Sequence, residues 1–73
     1  MRAYEGKRIG NRINALLNAL DVRESEFCRQ HKFQQAHLNR VKNGEIEPTG
    51  HVMLRIAAAL GKPVGDVFWL EQP

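Results

Sequence analysis

The chain is interrupted at short intervals, and that limits it to short elements. Breaks fall at Asp21-Val22, at Lys32-Phe33, from Asn43-Gly44 to Glu47-Pro48, and at Gly61-Lys62-Pro63. A chain of 73 residues is one domain, and at this size it buries only about 60% of its unfolded surface. A modest core leaves little room for an enclosed cavity, so function belongs on the outer surface. We take residues 1–73 as a single domain with its core in 7–68.

Between the breaks the apolar residues recur with helical spacing. Ile9, Ile13, Leu16, Leu17 and Leu20 fall on one face of a first helix from about Gly6 to Leu20, with Arg8, Asn11, Arg12 and Asn18 on the other. Asp21 and Glu24 have the spacing of a capping box, which starts a second helix by about Val22 to Glu24 and ends it near His31. A third helix, about Gln35 to Lys42, stops at Asn43-Gly44, where glycine can take the left-handed conformation. Thr49 is the expected N-cap of a fourth, which reaches about Leu60, buries Met53, Ile56, Ala57 and Leu60, and stops at Gly61. Pro63 suits the first turn of a short fifth helix, Val64 to about Trp69, because its missing N–H needs no partner there. No stretch alternates with a period of two for long enough to predict a strand. The expected fold class is all-α, a compact bundle of five short helices.

The segment from Phe27 to Gly44 carries the chemistry. It reads as two short helices and a tight bend, a helix-turn-helix over residues 23–43. The first buries Phe27 and Cys28, and the second buries Leu38 and Val41. The outer face of the second then carries Gln35, Asn39 and Arg40, side chains of long reach or paired donors and acceptors. A helix that reads base edges in a DNA major groove needs such groups.

Charge is consistent with this. The formal net charge is +3, from eleven Lys and Arg against eight Asp and Glu. Between Arg23 and Asn43 five cations (Arg23, Arg29, Lys32, Arg40, Lys42) face two anions (Glu24, Glu26). Near the N-terminus Arg2, Lys7, Arg8 and Arg12 face Glu5. Such a bias suits a polyanion on one side of the molecule, or simply a solvated surface.

Other classes find less support. Cys28 is the only cysteine, so no intramolecular disulfide forms. Cys28 and His31, with His37 and His51, lack the spacing of a zinc site, and Cys28 falls on the apolar face, where a lone thiol acts as a small hydrophobe. There is no Ser-His-Asp constellation, P-loop or glycine-rich nucleotide motif, so we expect no enzyme, no cofactor and no metal. No long apolar run spans a membrane, and the N-terminus lacks the apolar stretch of a signal peptide. The expected location is the cytoplasm, on the nucleoid. The chain opens with Met1 and ends soon after the fifth helix, which favours a whole protein over a fragment.

The order and spacing of these residues resemble the phage-repressor and Cro-type helix-turn-helix domain, the XRE family. The similarity runs from about Lys7 to Phe68. Ile9-Gly10-Asn11-Arg12-Ile13 and Leu16 resemble the family's first helix, and Phe27-Cys28 stands where it carries Leu-Ala. Leu38, Val41, Asn43 and Gly44 resemble the end of its recognition helix. Pro48, Ile56-Ala57-Ala58-Ala59-Leu60-Gly61, Val64, Asp66, Val67 and Phe68 resemble its tail. Five positions depart. Glu24 replaces a phosphate-binding Gln, and an ionised carboxylate repels phosphate. Lys32 replaces the Gly of the turn, where a left-handed non-glycine residue costs about 1–2 kcal/mol. His31 replaces a Leu and is expected half-buried. Leu17 and Lys42 together replace an Arg–Glu pair, which leaves the Lys42 ammonium free to reach phosphate.

The resemblance implies a sequence-specific DNA-binding transcriptional regulator of repressor type, with the third helix in the major groove. Gln35, Ala36, Asn39 and Arg40 are then the base-reading candidates. Gln34, His37, Lys42, Asn43, Arg23 and Lys32 are candidates for the DNA backbone, Asn43 through its amide and its main-chain N–H. About four to six phosphate contacts imply a log–log salt slope of roughly −4 to −5. One recognition helix makes few specific contacts, so the implied state is a homodimer with its helices about 34 Å apart. Either Trp69 covers the bundle, or Trp69 and Leu70 form an apolar patch for self-association. The alternative function is a protein-interaction module of the same fold, such as an antitoxin that neutralises a partner toxin or an adaptor that does not bind DNA. Glu24 and Lys32 favour that alternative.

Overall fold

A computed structural model describes residues 8–71. The expected start of the first helix at Gly6 and Lys7, and the cluster Arg2, Glu5 and Lys7, lie outside the described residues. Among those described, the elements run β1 (Arg8–Asn11), α1 (Ile13–Ala19), α2 (Glu24–His31), α3 (Gln35–Lys42), α4 (Gly50–Leu60), α5 (Val64–Val67) and β2 (Phe68–Glu71). None of these helices is long and apolar enough to cross a membrane.

Every helix packs against a shared core. It contains Ile13 and Leu17 of α1, Phe27 and Cys28 of α2, and Leu38 and Val41 of α3. Ile56, Ala57 and Leu60 of α4, Val67 of α5 and Phe68 of β2 complete it. Cys28 is therefore a packing residue; burial and the nearby Glu24 charge push its thiol pKa up, against a smaller opposing effect of Lys42.

The all-α expectation is corrected by a two-stranded antiparallel sheet. β1 pairs with β2 in the register Arg8↔Glu71, Ile9↔Leu70, Gly10↔Trp69 and Asn11↔Phe68. The first helix therefore begins at Ile13, and the fifth stops at Val67, short of Trp69. Two causes are visible. Gly10 is a poor helix residue, and the Asn11 Oδ1 accepts from the Ile13 N–H at 3.1 Å, which starts the helix beyond it. Four-residue strands are also too short to display their alternation. Gly10 is required by the pairing: a Cβ there would collide with the Glu71 carboxylate and lie 2.5 Å from the Trp69 Nε1. The Trp69 ring thus covers Gly10, and the Arg12 guanidinium lies 5.5 Å from its centroid. Trp69 shields the sheet rather than joining the bundle core, and it and Leu70 stay substantially exposed.

The helix ends share one device. In α1 to α4 a residue with positive φ follows the last turn, and the next N–H reaches back to close it. These residues are Asp21 (φ 56°), Lys32 (φ 60°), Gly44 (φ 76°) and Gly61 (φ 71°). The closing bonds are Val22 N–H to Leu17 O, Phe33 to Cys28, Glu45 to Arg40 and Lys62 to Ala57, at 2.9–3.1 Å. The expected capping box is therefore corrected. Asp21 closes α1, Arg23 is the N-cap of α2 without a side-chain bond, and Glu24 faces elsewhere. The same turn leaves Leu20 52% exposed, outside the core that its spacing predicts. Thr49 does cap α4, accepting from the Val52 N–H at 3.2 Å.

Candidate nucleic-acid interface

α2 and α3 are joined by Lys32, Phe33 and Gln34, a turn of helix-turn-helix length. Lys32 keeps the left-handed geometry (φ 60°, ψ 43°) that a glycine would adopt without strain. Phe33 fastens the turn: its ring stacks on Phe27 at 5.5 Å, and the Arg55 guanidinium lies 4.6 Å from its centroid. His31 is exposed rather than half-buried, although its ring approaches Phe27 to 4.9 Å.

α3 is anchored by Leu38 and Val41, which are 1% and 2% exposed, so its opposite face is turned outward. Gln34, Gln35, Ala36 and Arg40 are exposed, while His37 and Asn39 are half-buried. Gln34 is the N-cap but its side chain makes no capping bond. Gln35, Ala36, Asn39 and Arg40 line one shallow groove, together with Glu24 and Glu45. This face is mixed in sign rather than uniformly cationic.

Glu24 organises it. The Lys42 Nζ stands 2.7 Å from its Oε1, with the two side chains 19% and 15% exposed. That approach is off the hydrogen-bonding direction, so Oε1 is compensated by charge rather than by an aligned bond. The Asn39 Nδ2 donates to Oε2 at 3.4 Å, and the Asn43 Nδ2 donates to the Asn39 Oδ1 at 3.1 Å. Burial by itself would raise the Glu24 pKa; Lys42, Asn39 and Gln35 outweigh it and hold the carboxyl below its ordinary value.

Two expectations change. The Lys42 ammonium is not free, because it neutralises Glu24. The main-chain N–H of Asn43 is also committed, donating to the Asn39 carbonyl at 3.0 Å to close the helix. Arg29 pairs with Glu26 through contacts of 2.5 and 2.6 Å. Thus both anions of the 23–43 segment are matched by cations. Arg23, Lys32 and Arg40 remain exposed and have no ion pair among the described residues.

Sequence reasoning missed Asn11, whose side chain binds the end of α3, and the polar groove beside it. That groove is lined by Asn11, Arg12, Asn14, Ala15 and Asn18 with Lys42 and Asn43. The local pattern held no signal for Asn11, because its partners lie 30 and 31 residues away.

The class these features define is a small helical domain with a helix-turn-helix and an attached two-stranded sheet. Among solved structures, the fold is similar to one described as "a putative DNA-binding protein from Bacteroides fragilis". The match has a TM-score of 0.70 over 84% of this chain and 98% of that one, at 15% identity. No protein-family model matches the chain, and no curated protein matches it.

Proposed function

We propose that this chain binds double-stranded DNA and reads it with α3 in the major groove. The observation that carries this reading is the seating of α3. Two buried residues, Leu38 and Val41, hold it while Gln35, Ala36 and Arg40 are exposed on its outward side. The solved structure of similar fold, described as "a putative DNA-binding protein", supports it as an analogy of fold. Gln35 can pair with adenine, Arg40 with guanine or phosphate, and Ala36 with a thymine methyl. Asn39 is spent on Glu24 and Asn43 and reads less than its position suggests. Arg23, Lys32, Gln34, His37 and the amide of Asn43 face the backbone. The protein acts as a dimeric transcriptional repressor of the XRE type, in the cytoplasm and on the nucleoid.

A second reading is favoured by one observation: the carboxylates Glu24 and Glu45 share the groove with the reading residues. They suit a protein partner with a basic face, as in an antitoxin or adaptor. Selection from random duplexes decides between them. A palindromic consensus whose binding weakens steeply with salt supports the regulator. No duplex binding at low salt overturns it in favour of the interaction module.

A further inference from the structure

Asn11 ends β1, and its main chain is held in the sheet opposite Phe68. The next N–H, that of Arg12, donates to the Val67 carbonyl at 3.0 Å. The Asn11 side chain is half-buried and bonded through both its oxygen and its nitrogen. The Oδ1 accepts from the Ile13 N–H at 3.1 Å, and the Nδ2 donates to the Val41 and Lys42 carbonyls, both at 3.3 Å. The last carbonyls of a helix have no partner within it. In α3 those of Asn39, Arg40 and Val41 accept from the Asn43, Glu45 and Gly44 N–H groups. The Lys42 carbonyl has Asn11 alone among the described residues. One amide therefore starts α1, closes α3, and ties the end of α3 to the sheet.

We propose that Asn11 is a positioning residue for α3, setting the angle at which Gln35, Ala36 and Arg40 meet the base edges; this rests on the DNA-binding reading above. Gln35 and Lys42 are the first and last residues of α3. They lie about 10 Å apart along its axis, so a tilt of about 6° moves the Gln35 turn by about 1 Å. A bidentate base contact does not survive that, because hydrogen bonds hold only within a few tenths of an ångström. Both polar ties of α3 to other elements, through Asn11 and through Glu24, include its C-terminal end. The Glu24 tie also extends to Asn39 and to Gln35 in the reading turn, whereas the Asn11 tie is confined to the opposite, C-terminal end of the helix.

The test uses the full chain with Asn11→Ser. Serine keeps an acceptor for the Ile13 N–H but cannot reach the α3 carbonyls, and it adds no charge. Affinity is measured for the selected duplex and for a scrambled one of equal length, at fixed salt, with the folded fraction followed by circular dichroism. The expected result is a roughly tenfold fall in the ratio of specific to scrambled affinity, the scale of one bidentate base contact, with the salt slope unchanged. A purely structural effect lowers both affinities by the same factor and leaves the ratio intact; an intact ratio overturns the proposal. Should the variant not fold, exchange of the Asn11 side-chain amide protons in the unaltered protein decides. Protection relative to Asn14 and Asn18, with couplings to the Val41 and Lys42 carbonyls, supports the brace, and exchange as fast as theirs overturns it. Failure of the unaltered protein to bind any duplex overturns the DNA reading itself, and the role of Asn11 in recognition with it.

Discussion

The Glu24 carboxylate, first residue of α2, and the Lys42 ammonium, last residue of α3, meet at 2.7 Å with both side chains mostly removed from solvent. Each also sits where its helix dipole favours it, the anion at an N-terminus and the cation at a C-terminus. The contact joins the two outer ends of the helix-turn-helix. It turns two residues that look adverse or idle for binding a polyanion into a structural pair.

Removing one partner is therefore expected to cost more than removing both. Lys42→Gln strands a half-buried carboxylate and destabilises the fold by about 1–3 kcal/mol. Adding Glu24→Gln recovers most of that loss. Urea unfolding of the two single variants and the double variant yields the coupling directly. A coupling near zero would refute the pair.

The pair also sets an acid limit. Burial opposes ionisation of Glu24, but Lys42, Asn39 and Gln35 prevail and hold its folded pKa below the ordinary value of 4.5. The stability it contributes is complete above that value and is lost as pH falls through the lower folded pKa. In urea titrations between pH 7 and pH 3, Glu24→Gln should show a smaller acid loss than the unaltered protein. Equal slopes for the two would remove Glu24 from the acid transition.

Lys32 holds a left-handed conformation at φ 60°. Lys32→Gly relieves about 1–2 kcal/mol of strain and forfeits about 0.5–1 kcal/mol to the flexibility of glycine when unfolded. The expected net gain is about 0.5–1 kcal/mol, or a rise of a few degrees in Tm. A fall in Tm would mean that the Lys32 side chain contributes contacts that outweigh its backbone strain.

Salt dependence separates paired from unpaired cations. Arg23→Gln should make the log–log slope for duplex binding shallower by about 0.9, one phosphate contact. The double variant Glu24→Gln/Lys42→Gln should leave the slope unchanged, because that ammonium already has a carboxylate partner. A shallower slope in the double variant would return Lys42 to the DNA backbone.

Gly10 is a packing requirement of the sheet. Gly10→Ala places a methyl group against the Trp69 indole and should destabilise by about 1–3 kcal/mol through overpacking. Trp69 fluorescence reports it, since the ring must leave its seat on the strand. An unshifted emission spectrum with unchanged stability would show that Trp69 does not rest on Gly10.

What the sequence by itself determined is local. Breaks at Lys32-Phe33, Asn43-Gly44 and Gly61 mark where α2, α3 and α4 end, because a left-handed residue followed by a returning N–H needs only five or six neighbours. Helical spacing likewise picks out Phe27, Cys28, Leu38 and Val41 as buried, which turns the Gln35 face outward. Tertiary structure decided what depends on distant partners. Ile9 and Ile13 are spaced for a helix, yet Arg8–Asn11 is a strand because Phe68–Glu71 arrives to pair with it. Glu24 and Asp21 are spaced for a capping box, yet Lys42 draws the carboxylate away. Asn11 reads as one more polar surface residue until the end of α3 lies beside it. In each case a weak local preference yields to burial or pairing with a group brought near only by the fold, and neither periodicity nor spacing records that group.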